Sequence, residues 1–133
     1  MLESFARARV LVIDDNLAHI SLLEALLVKH GLESVHSVTD AEQALTAVEE
    51  LRPDLVLLDL HMPAVAGRTV LGALRRRFGP LELPVAVLTA DVTRQATHQA
   101  LSLGANDVLT KPLDVAEVVL RVRNLLEVQS LHQ

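Results

Sequence analysis

The sequence predicts an α/β domain with a doubly wound, five-stranded parallel sheet in the order 2-1-3-4-5, flanked by five helices. Three observations predict this fold class. Five short apolar runs alternate with five segments of helical periodicity, which is typical of a parallel sheet. Three of these runs are continuously apolar, as strands buried on both faces are, whereas the second run is polar and the fifth is short. Polar or charged residues follow the runs, so they are expected at one rim of the sheet.

Composition sets limits on the class of protein. The chain has 133 residues, 50% of them apolar, enough for one domain with its own core. It has no cysteine, which excludes disulfides, thiolate metal sites and cysteine nucleophiles. The net charge of -5 disfavours direct nucleic-acid binding, because phosphate contacts need clustered lysine and arginine. With no run as long as a membrane span and no secretory signal, we expect a cytoplasmic protein that makes no membrane contact.

The first two strands differ in polarity. The first predicted strand, residues 10–13, is apolar and is followed by an acidic pair. Apolar residues at helical spacing then predict a helix over residues 17–29, with a glycine stop behind it. The second strand, residues 34–38, is more polar and therefore suits a sheet edge. Thr39 and Glu42 have the spacing of a capping box and are expected to open the second helix.

The third strand, residues 55–58, is bounded by Pro53 before it and by Pro63 and Gly67 after it. Its apolar run ends at Asp59, which places a carboxylate where ligands bind in open α/β sheets. Pro63 and Gly67 are expected to shape the following loop without touching a ligand.

The third helix is marked by four apolar residues at helical spacing and ends in Arg75, Arg76 and Arg77. We expect these arginines to form a solvated last turn that the helix dipole favours, with a binding patch as the alternative. The fourth strand, residues 84–88, ends at Thr89.

The last third of the chain predicts two helices around a short strand. A weaker, alanine-rich helix is expected over residues 93–103, a strand at residues 108–109, and a long helix from Asp114 onward. The predicted core face of that helix comprises Val115, Val119, Val122 and Leu126. A second apolar stripe, expected to face away from the core, comprises Val118, Leu125 and Val128.

The chain divides into three parts on this interpretation. Residues 1–8 form an N-terminal leader, residues 9–126 form the domain, and residues 127–133 extend the last helix or serve as a linker. Fraying is the simplest expectation for the final residues. The alternative is that the helix leads into a dimer contact or an output domain.

Polar residues at the strand ends are expected to share one rim: Asp14, Asp15, Asp59, Thr89 and Lys111. Two carboxylates about 4 Å apart repel by about 4 kcal/mol at an effective dielectric near 20, so three of them need protons or a cation. With no histidine or cysteine expected nearby, ligation by oxygen alone predicts Mg²⁺. The six histidines show no zinc-binding spacing.

A cation beside a hydroxyl and an ammonium group is suited to phosphoryl chemistry. Lys111 and Thr89 are expected to hold phosphoryl oxygens. Asp59, central and fixed by its strand, is the natural nucleophile and would form an acyl phosphate. His61 has two open interpretations, lining the pocket mouth with an influence on hydrolysis or simple exposure. The same two interpretations are open for Asp91, whose simpler role would be to cap the fourth helix.

Residues 9–126 resemble the receiver domains of bacterial two-component response regulators. Each motif is weak alone, but four in register are specific. The motifs are Val12-Ile13-Asp14-Asp15-Asn16, residues 54–63 with Gly67, Leu88-Thr89-Ala90, and Gly104-Ala105-Asn106-Asp107 through Lys111-Pro112. The resemblance implies a flavodoxin-like fold of the CheY type with the strand order given above.

The resemblance also implies roles for individual residues. Asp59 is the phosphoacceptor, which takes its phosphoryl group from a phosphohistidine on a partner kinase. Asp15 is a direct Mg²⁺ ligand, Asp14 acts partly through water, and the backbone carbonyl of His61 completes the protein ligands. In such domains catalysis is limited to self-phosphorylation and autodephosphorylation.

Two further features follow from the resemblance. The Lys111–Pro112 peptide bond is expected to be cis, which would aim the lysine at the phosphoryl group. The family couples Thr89 to an aromatic residue on the fifth strand, and here Val108 stands at that position. We therefore expect the hydroxyl half of the switch, with the helix over residues 93–103 as the mobile element.

Several partners fit this resemblance. A sensor histidine kinase or phosphotransfer protein would supply the phosphoryl group. A second copy of the chain would dock through the face of the fourth helix, fifth strand and fifth helix, and an output domain would follow the C terminus. Residues 121–126 are similar to the junction at which receivers precede HD-GYP cyclic-dinucleotide phosphodiesterases.

Two other classes of function remain open from the residues alone. A Mg²⁺-dependent phosphohydrolase of the haloacid-dehalogenase type needs an acid two residues after its nucleophile, where this chain has His61. A pseudo-receiver that binds a partner without phosphate would not need the acidic pair, Thr89 and Lys111 together.

Overall fold

A computed structural model of the chain describes residues 1–62 and 66–132. It confirms the predicted fold class. Within this part of the chain, five parallel strands form one sheet in the order β2-β1-β3-β4-β5. The strands are β1 (Arg9–Ile13), β2 (Ser34–Val38), β3 (Leu55–Asp59), β4 (Val85–Thr89) and β5 (Asp107–Thr110). The helices are α1 (Leu17–Lys29), α2 (Ala44–Leu51), α3 (Ala66–Arg77), α4 (Arg94–Ser102) and α5 (Val115–His132).

The sheet has an apolar core on each face. Alternate residues of β1 point to opposite sides, with Val10 and Val12 in the core beneath α1 and α5 and Leu11 and Ile13 in the core beneath α2 and α3. All five residues of β3 and of β4 are buried, as expected for strands covered on both faces. No residue of β2 is fully buried, which agrees with its predicted edge position.

The helix α5 departs from the predicted orientation in three residues, one of which, Leu125, is partly buried against the core although it was assigned to the outward stripe. Val118 is buried in the core, so its assignment to an outward stripe was wrong, and Val115 is exposed although it was assigned to the core face. Val119, Val122 and Leu126 do lie in the core. The helix continues to His132, and Val128 and Leu131 are exposed along this extension.

The end of α3 also differs from expectation. Arg75 is not a solvated residue, because its guanidinium donates hydrogen bonds to the Gly104 carbonyl at 2.6 Å and the Leu83 carbonyl at 2.8 Å. It also donates to the Asn106 side-chain oxygen at 2.5 Å and the Phe78 carbonyl at 3.2 Å. Arg75 therefore fastens α3 to the segment between α4 and β5.

The start of the second helical segment uses a different cap from the predicted one. Asp40, and not Thr39, caps a short 3-10 turn by accepting a hydrogen bond from the Glu42 N–H at 2.9 Å. The α-helix proper begins at Ala44. It ends at Leu51, and the C-cap residue Arg52 has a left-handed φ of 51° that stops the helix before Pro53.

Residues 1–8 pack against the domain. The Leu2 side chain lies in the core beneath α1, and its N–H donates to the His30 carbonyl at 2.8 Å. Gly31 has a φ of +123°, and a Cβ there would lie 2.7 Å from the Glu3 nitrogen, so glycine permits this close approach. Among the described residues, no helix combines the length and apolar character that crossing a bilayer requires.

Candidate functional site

The carboxyl ends of β1, β3 and β5 bring three charged side chains together. In the parallel register Ile13 pairs with Leu58, so Asp14 and Asp59 occupy neighbouring strand ends. Both carboxylates are almost fully buried, with 0% and 2% exposure. The Lys111 ammonium reaches the same point from the end of β5. The predicted convergence is therefore present for Asp14, Asp59 and Lys111.

Each oxygen of Asp59 has a defined partner. Oδ1 accepts a hydrogen bond from the His61 N–H at 2.8 Å, and Oδ2 accepts one from the Lys111 Nζ at 3.2 Å. Burial by itself would raise the pKa of Asp59, but these two donors stabilise the carboxylate and the pKa lies below its usual value. Asp59 is therefore ionised at neutral pH, as a nucleophilic carboxylate must be.

Asp14 has fewer hydrogen-bond partners than Asp59. Its Oδ1 accepts a hydrogen bond from the Asn16 N–H at 2.9 Å, whereas its Oδ2 is buried with no hydrogen-bond partner. Burial raises the pKa of Asp14 above its usual value, and the nearby Asp59 carboxylate raises it further. A buried carboxyl oxygen without a hydrogen-bond partner is unfavourable in a protein interior, and a bound cation would relieve it.

His19 is a site residue that the sequence reasoning missed. Its Nδ1 lies 3.3 Å from Asp14 Oδ2 and 4.0 Å from Asp59 Oδ2. The expectation that no histidine stands near the carboxylates was therefore wrong. The sequence signal was Asn16, a typical helix N-cap residue directly after the acidic pair. It accepts hydrogen bonds from the N–H groups of Ala18 and His19 and so holds the first turn of α1 beside that pair.

The donor set at this rim suits a divalent cation. Among the described residues, ligand atoms of Asp14, His19 and Asp59 lie within 4.8 Å of one another. The unpartnered Oδ2 of Asp14 gives this group a buried oxygen that lacks a proton donor. Asp15, the direct ligand that the resemblance implies, is exposed and does not belong to this group. Its role and that of the His61 carbonyl stay predictions.

Thr89 lies on the β4 side of the site in a closed hydrogen-bond network. Its Oγ1 is 2.7 Å from His61 Nε2 and accepts from the Asp91 N–H at 3.0 Å. The Ala90 N–H also donates to His61 Nε2 at 3.0 Å. Because Nε2 accepts from the Ala90 N–H, we assign the Thr89 hydroxyl as the donor in the second contact. His61 is exposed, lines the adjoining cavity and contacts the Thr89 hydroxyl, and its influence on hydrolysis stays a prediction.

The surroundings of this network leave space beneath α4. A cavity of about 390 Å³ is lined by residues that include His61, Thr89, Asp91, Gln99 and Ala100. Asp91 acts within the loop, where its Oδ1 accepts from the Thr93 N–H at 3.0 Å, and Thr93 caps α4. Val108 is partly buried against the core on this side of the sheet.

Two backbone features complete the site. The Lys111–Pro112 peptide bond is cis, as the resemblance implied. Gly67, in the first turn of α3, lies so close to the end of β3 that a Cβ would be 2.8 Å from the Asp59 carbonyl oxygen and 2.8 Å from the Leu60 Cα. Pro63, which was expected to shape this loop, lies outside the described residues.

Comparison with known proteins gives one consistent family. The response regulator receiver domain family matches residues 10–123. DNA-binding response regulator MtrA of Mycolicibacterium paratuberculosis is 41% identical over 117 residues, which are 88% of this chain and 50% of that protein. DNA-binding dual master transcriptional regulator RpaA of Synechocystis sp. is 41% identical over 118 residues, which are 89% of this chain and 48% of that protein. The chain thus spans about half the length of these curated relatives.

A solved structure shows the same fold over the whole domain. The receiver domain of the Francisella response regulator 1452 matches with a TM-score of 0.82 at 26% identity. The match covers 91% of this chain and 98% of that chain.

Proposed function

Because the chain belongs to the response regulator receiver domain family, we propose that it is a phosphoacceptor whose phosphorylated residue is Asp59. One observation supports this assignment above the others. Asp59 is a buried carboxylate, ionised through the Lys111 ammonium and the His61 N–H, at the point where Asp14 also lies. The phosphohydrolase alternative is not favoured, because His61 stands where such an enzyme would need an acid.

The proposed chemistry is transfer of a phosphoryl group from a phosphohistidine of a sensor kinase or phosphotransfer protein. A carboxylate oxygen of Asp59 attacks the phosphorus, the new P–O bond forms, and the P–N bond to the donor imidazole breaks. The imidazole nitrogen keeps the bonding electron pair and takes up a proton. Lys111, already 3.2 Å from Asp59 Oδ2, would then hold an equatorial phosphoryl oxygen. Hydrolysis of the acyl phosphate by water would return Asp59 to its carboxylate form.

The cofactor proposed for this step is Mg²⁺. Asp14, Asp15, Asp59 and the His61 backbone carbonyl would hold it. When bound, a divalent cation neutralises the negative charge that gathers on phosphoryl oxygens. The buried Oδ2 of Asp14, which has no hydrogen-bond partner, supports the proposal that a cation belongs here.

The proposed switch is an exchange of the partner of Thr89. Its hydroxyl contacts His61 Nε2, and its oxygen accepts from the Asp91 N–H. Phosphorylation brings the charge at Asp59 to about -2 and adds strong acceptor oxygens, which compete with the His61 ring for the Thr89 proton. As Thr89 turns toward these oxygens, its bond to the Asp91 N–H breaks and the loop before α4 shifts.

This exchange would account for switching without an aromatic residue at Val108. The helix α4 buries only Ala100, so it is weakly anchored, and the adjoining cavity gives it room to move. The measurement is the backbone amide shift of Ala90, Asp91 and α4 on phosphorylation. Unchanged shifts there, with clear changes at Asp59, would contradict the proposal.

The signal would pass to an output region or partner. The relatives named above are DNA-binding regulators about twice as long as this chain, so a C-terminal output domain after α5 is proposed. A homodimer through the α4, β5 and α5 face is the other proposed assembly. In either case the receiver itself would not contact nucleic acid.

The test of phosphorylation is direct. The chain is incubated with Mg²⁺ and a small phosphodonor, and its intact mass is measured. We expect one added phosphoryl group on the wild type and none on Asp59→Asn. Asp40→Asn is the matched control, because Asp40 also follows a strand and an asparagine keeps its cap. Equal phosphorylation of Asp59→Asn and the control would overturn the assignment.

A further inference from the structure

The ring nitrogen of His19 and one oxygen of Asp14 form an unusual pair. The atoms His19 Nδ1 and Asp14 Oδ2 are 3.3 Å apart and both are buried, yet neither has a hydrogen-bond partner. Polar atoms buried in native proteins almost always have a partner. Both atoms are therefore available as ligand atoms, and together with an Asp59 oxygen they lie within 4.8 Å of one another.

The spacing of these ligand atoms suits a cation bound by all of them. Ligand atoms at about 2.1 Å from a metal in octahedral geometry are about 3 Å from their neighbours. His19 Nδ1 is 3.3 Å from Asp14 Oδ2 and 4.0 Å from Asp59 Oδ2. Asp59 Oδ2 also accepts a hydrogen bond from the Lys111 ammonium at 3.2 Å.

The backbone of His19 is held in place for this role. Asn16 Oδ1 accepts hydrogen bonds from the Ala18 N–H at 2.9 Å and the His19 N–H at 3.2 Å, which fixes the first turn of α1. The His19 side chain is 42% exposed although its Nδ1 is buried. One ring nitrogen therefore faces the carboxylates while the rest of the ring lies toward solvent.

We propose that His19 is a nitrogen ligand of the cation held by Asp14 and Asp59, and that it makes the site prefer Mn²⁺ and Co²⁺ to Mg²⁺. This inference rests on the proposed function, which places a divalent cation at this rim. Oxygen ligands alone suit Mg²⁺, whereas an imidazole nitrogen raises the relative affinity for first-row transition ions. The site still accepts Mg²⁺ through its carboxylates.

Titration calorimetry of the unphosphorylated chain tests the preference. Chloride salts of Mg²⁺, Mn²⁺ and Co²⁺ are titrated into the wild type, His19→Gln and Asp14→Asn. The control is His98→Gln, which changes an exposed histidine on α4. We expect His19→Gln to lower the ratio of Mn²⁺ to Mg²⁺ affinity by about tenfold or more. His98→Gln leaves the ratio unchanged, and Asp14→Asn weakens all three ions.

Pulsed electron paramagnetic resonance of bound Mn²⁺ gives an independent readout. Coupling to a ¹⁴N nucleus is expected in the wild type and in His98→Gln, and its loss is expected in His19→Gln. Absence of this coupling in the wild type, or an equal affinity ratio in wild type and His19→Gln, overturns the role of His19.

Phosphorylation of the wild type with Mg²⁺ is measured in parallel. It distinguishes failure of the His19 inference from failure of the proposed function. If the wild type is phosphorylated on Asp59 but its ratio of Mn²⁺ to Mg²⁺ affinity equals that of His19→Gln, this inference alone is refuted. A wild type that binds no divalent cation and is not phosphorylated refutes the proposed function as well.

Discussion

Arg75 and Asp14 are both ionisable residues with buried side-chain atoms, and they differ in how many hydrogen-bond partners they have. The Arg75 guanidinium donates to the carbonyls of Gly104 and Leu83 and to the Asn106 side chain. Asp14, which is fully buried, keeps one oxygen without a hydrogen-bond partner. The guanidinium of Arg75 is tied into the fold by several acceptors, whereas Asp14 Oδ2 has only the His19 ring nitrogen nearby, at 3.3 Å, and could take a cation as ligand.

Replacing Arg75 is expected to have the largest effect on stability. Arg75→Ala removes the donors for four backbone carbonyls and the Asn106 oxygen, and should lower the free energy of unfolding by about 2 to 3 kcal/mol. Urea denaturation followed by circular dichroism measures it. Arg76→Ala, on the exposed side of α3, is the control and should stay within about 0.5 kcal/mol of the wild type. Equal effects of the two variants would show that the contacts of Arg75 are not structural.

Replacing Asp14 is expected to act in the opposite direction. Asp14→Asn keeps the oxygen that accepts from the Asn16 N–H and removes a buried charge, so without added metal it should raise the free energy of unfolding by about 1 kcal/mol. The same variant should gain less stability than the wild type when Mg²⁺ is added. Thermal melts with and without Mg²⁺ measure both effects, with Asp40→Asn as the control. A destabilised Asp14→Asn would show that the carboxylate is structurally satisfied.

The stabilisation by Asp14→Asn should depend on pH. The pKa of Asp14 is raised in the folded protein, so the folded state binds the proton more tightly than the unfolded state does. The wild type therefore loses stability as pH rises through the folded-state pKa of Asp14. The advantage of the variant is largest above the folded-state pKa of Asp14 and vanishes below the unfolded value of about 3.9. Metal-free melts between pH 4 and pH 7 measure the difference, and a constant difference would contradict the assignment.

The smallest expected effect is at His61. His61→Ala removes the acceptor of the Thr89 hydroxyl and the Ala90 N–H, and should cost about 0.5 to 1 kcal/mol. Amide shifts of Ala90 and α4 in the unphosphorylated variant should move toward those of the phosphorylated wild type. His36→Ala, on the edge strand β2, controls for loss of an exposed ring. Shifts confined to residues next to position 61 would mean that the ring does not hold Thr89 in place.

The fold could be predicted because it depends on patterns that the chain displays directly. Continuous apolar runs predicted the central strands, and the polar run at residues 34–38 predicted an edge. The approach of Asp14, Asp59 and Lys111 followed from the same pattern, since the ends of parallel strands share one rim.

The contacts that were missed depend on side-chain reach and helix rotation. His19 approaches Asp14 because of how α1 leaves its Asn16 cap, and nothing in the apolar pattern shows that direction. Arg75 has the composition of a solvated helix end, but its long side chain extends back to a neighbouring loop. Val118 was misplaced because apolar residues surround much of α5, so spacing alone did not fix which side faces the sheet.

The narrow gap between Gly67 and the end of β3 has a practical consequence. Only a hydrogen atom fits there, because a methyl group would press on the Asp59 carbonyl oxygen and the Leu60 backbone at 2.8 Å. Gly67→Ala would therefore displace the Asp59 carboxylate while every chemical group of the site is retained. Such a variant separates the placement of the proposed phosphoacceptor from its identity. In more distant sequences, a glycine eight positions after an aspartate at a strand end would be a simple marker for this geometry.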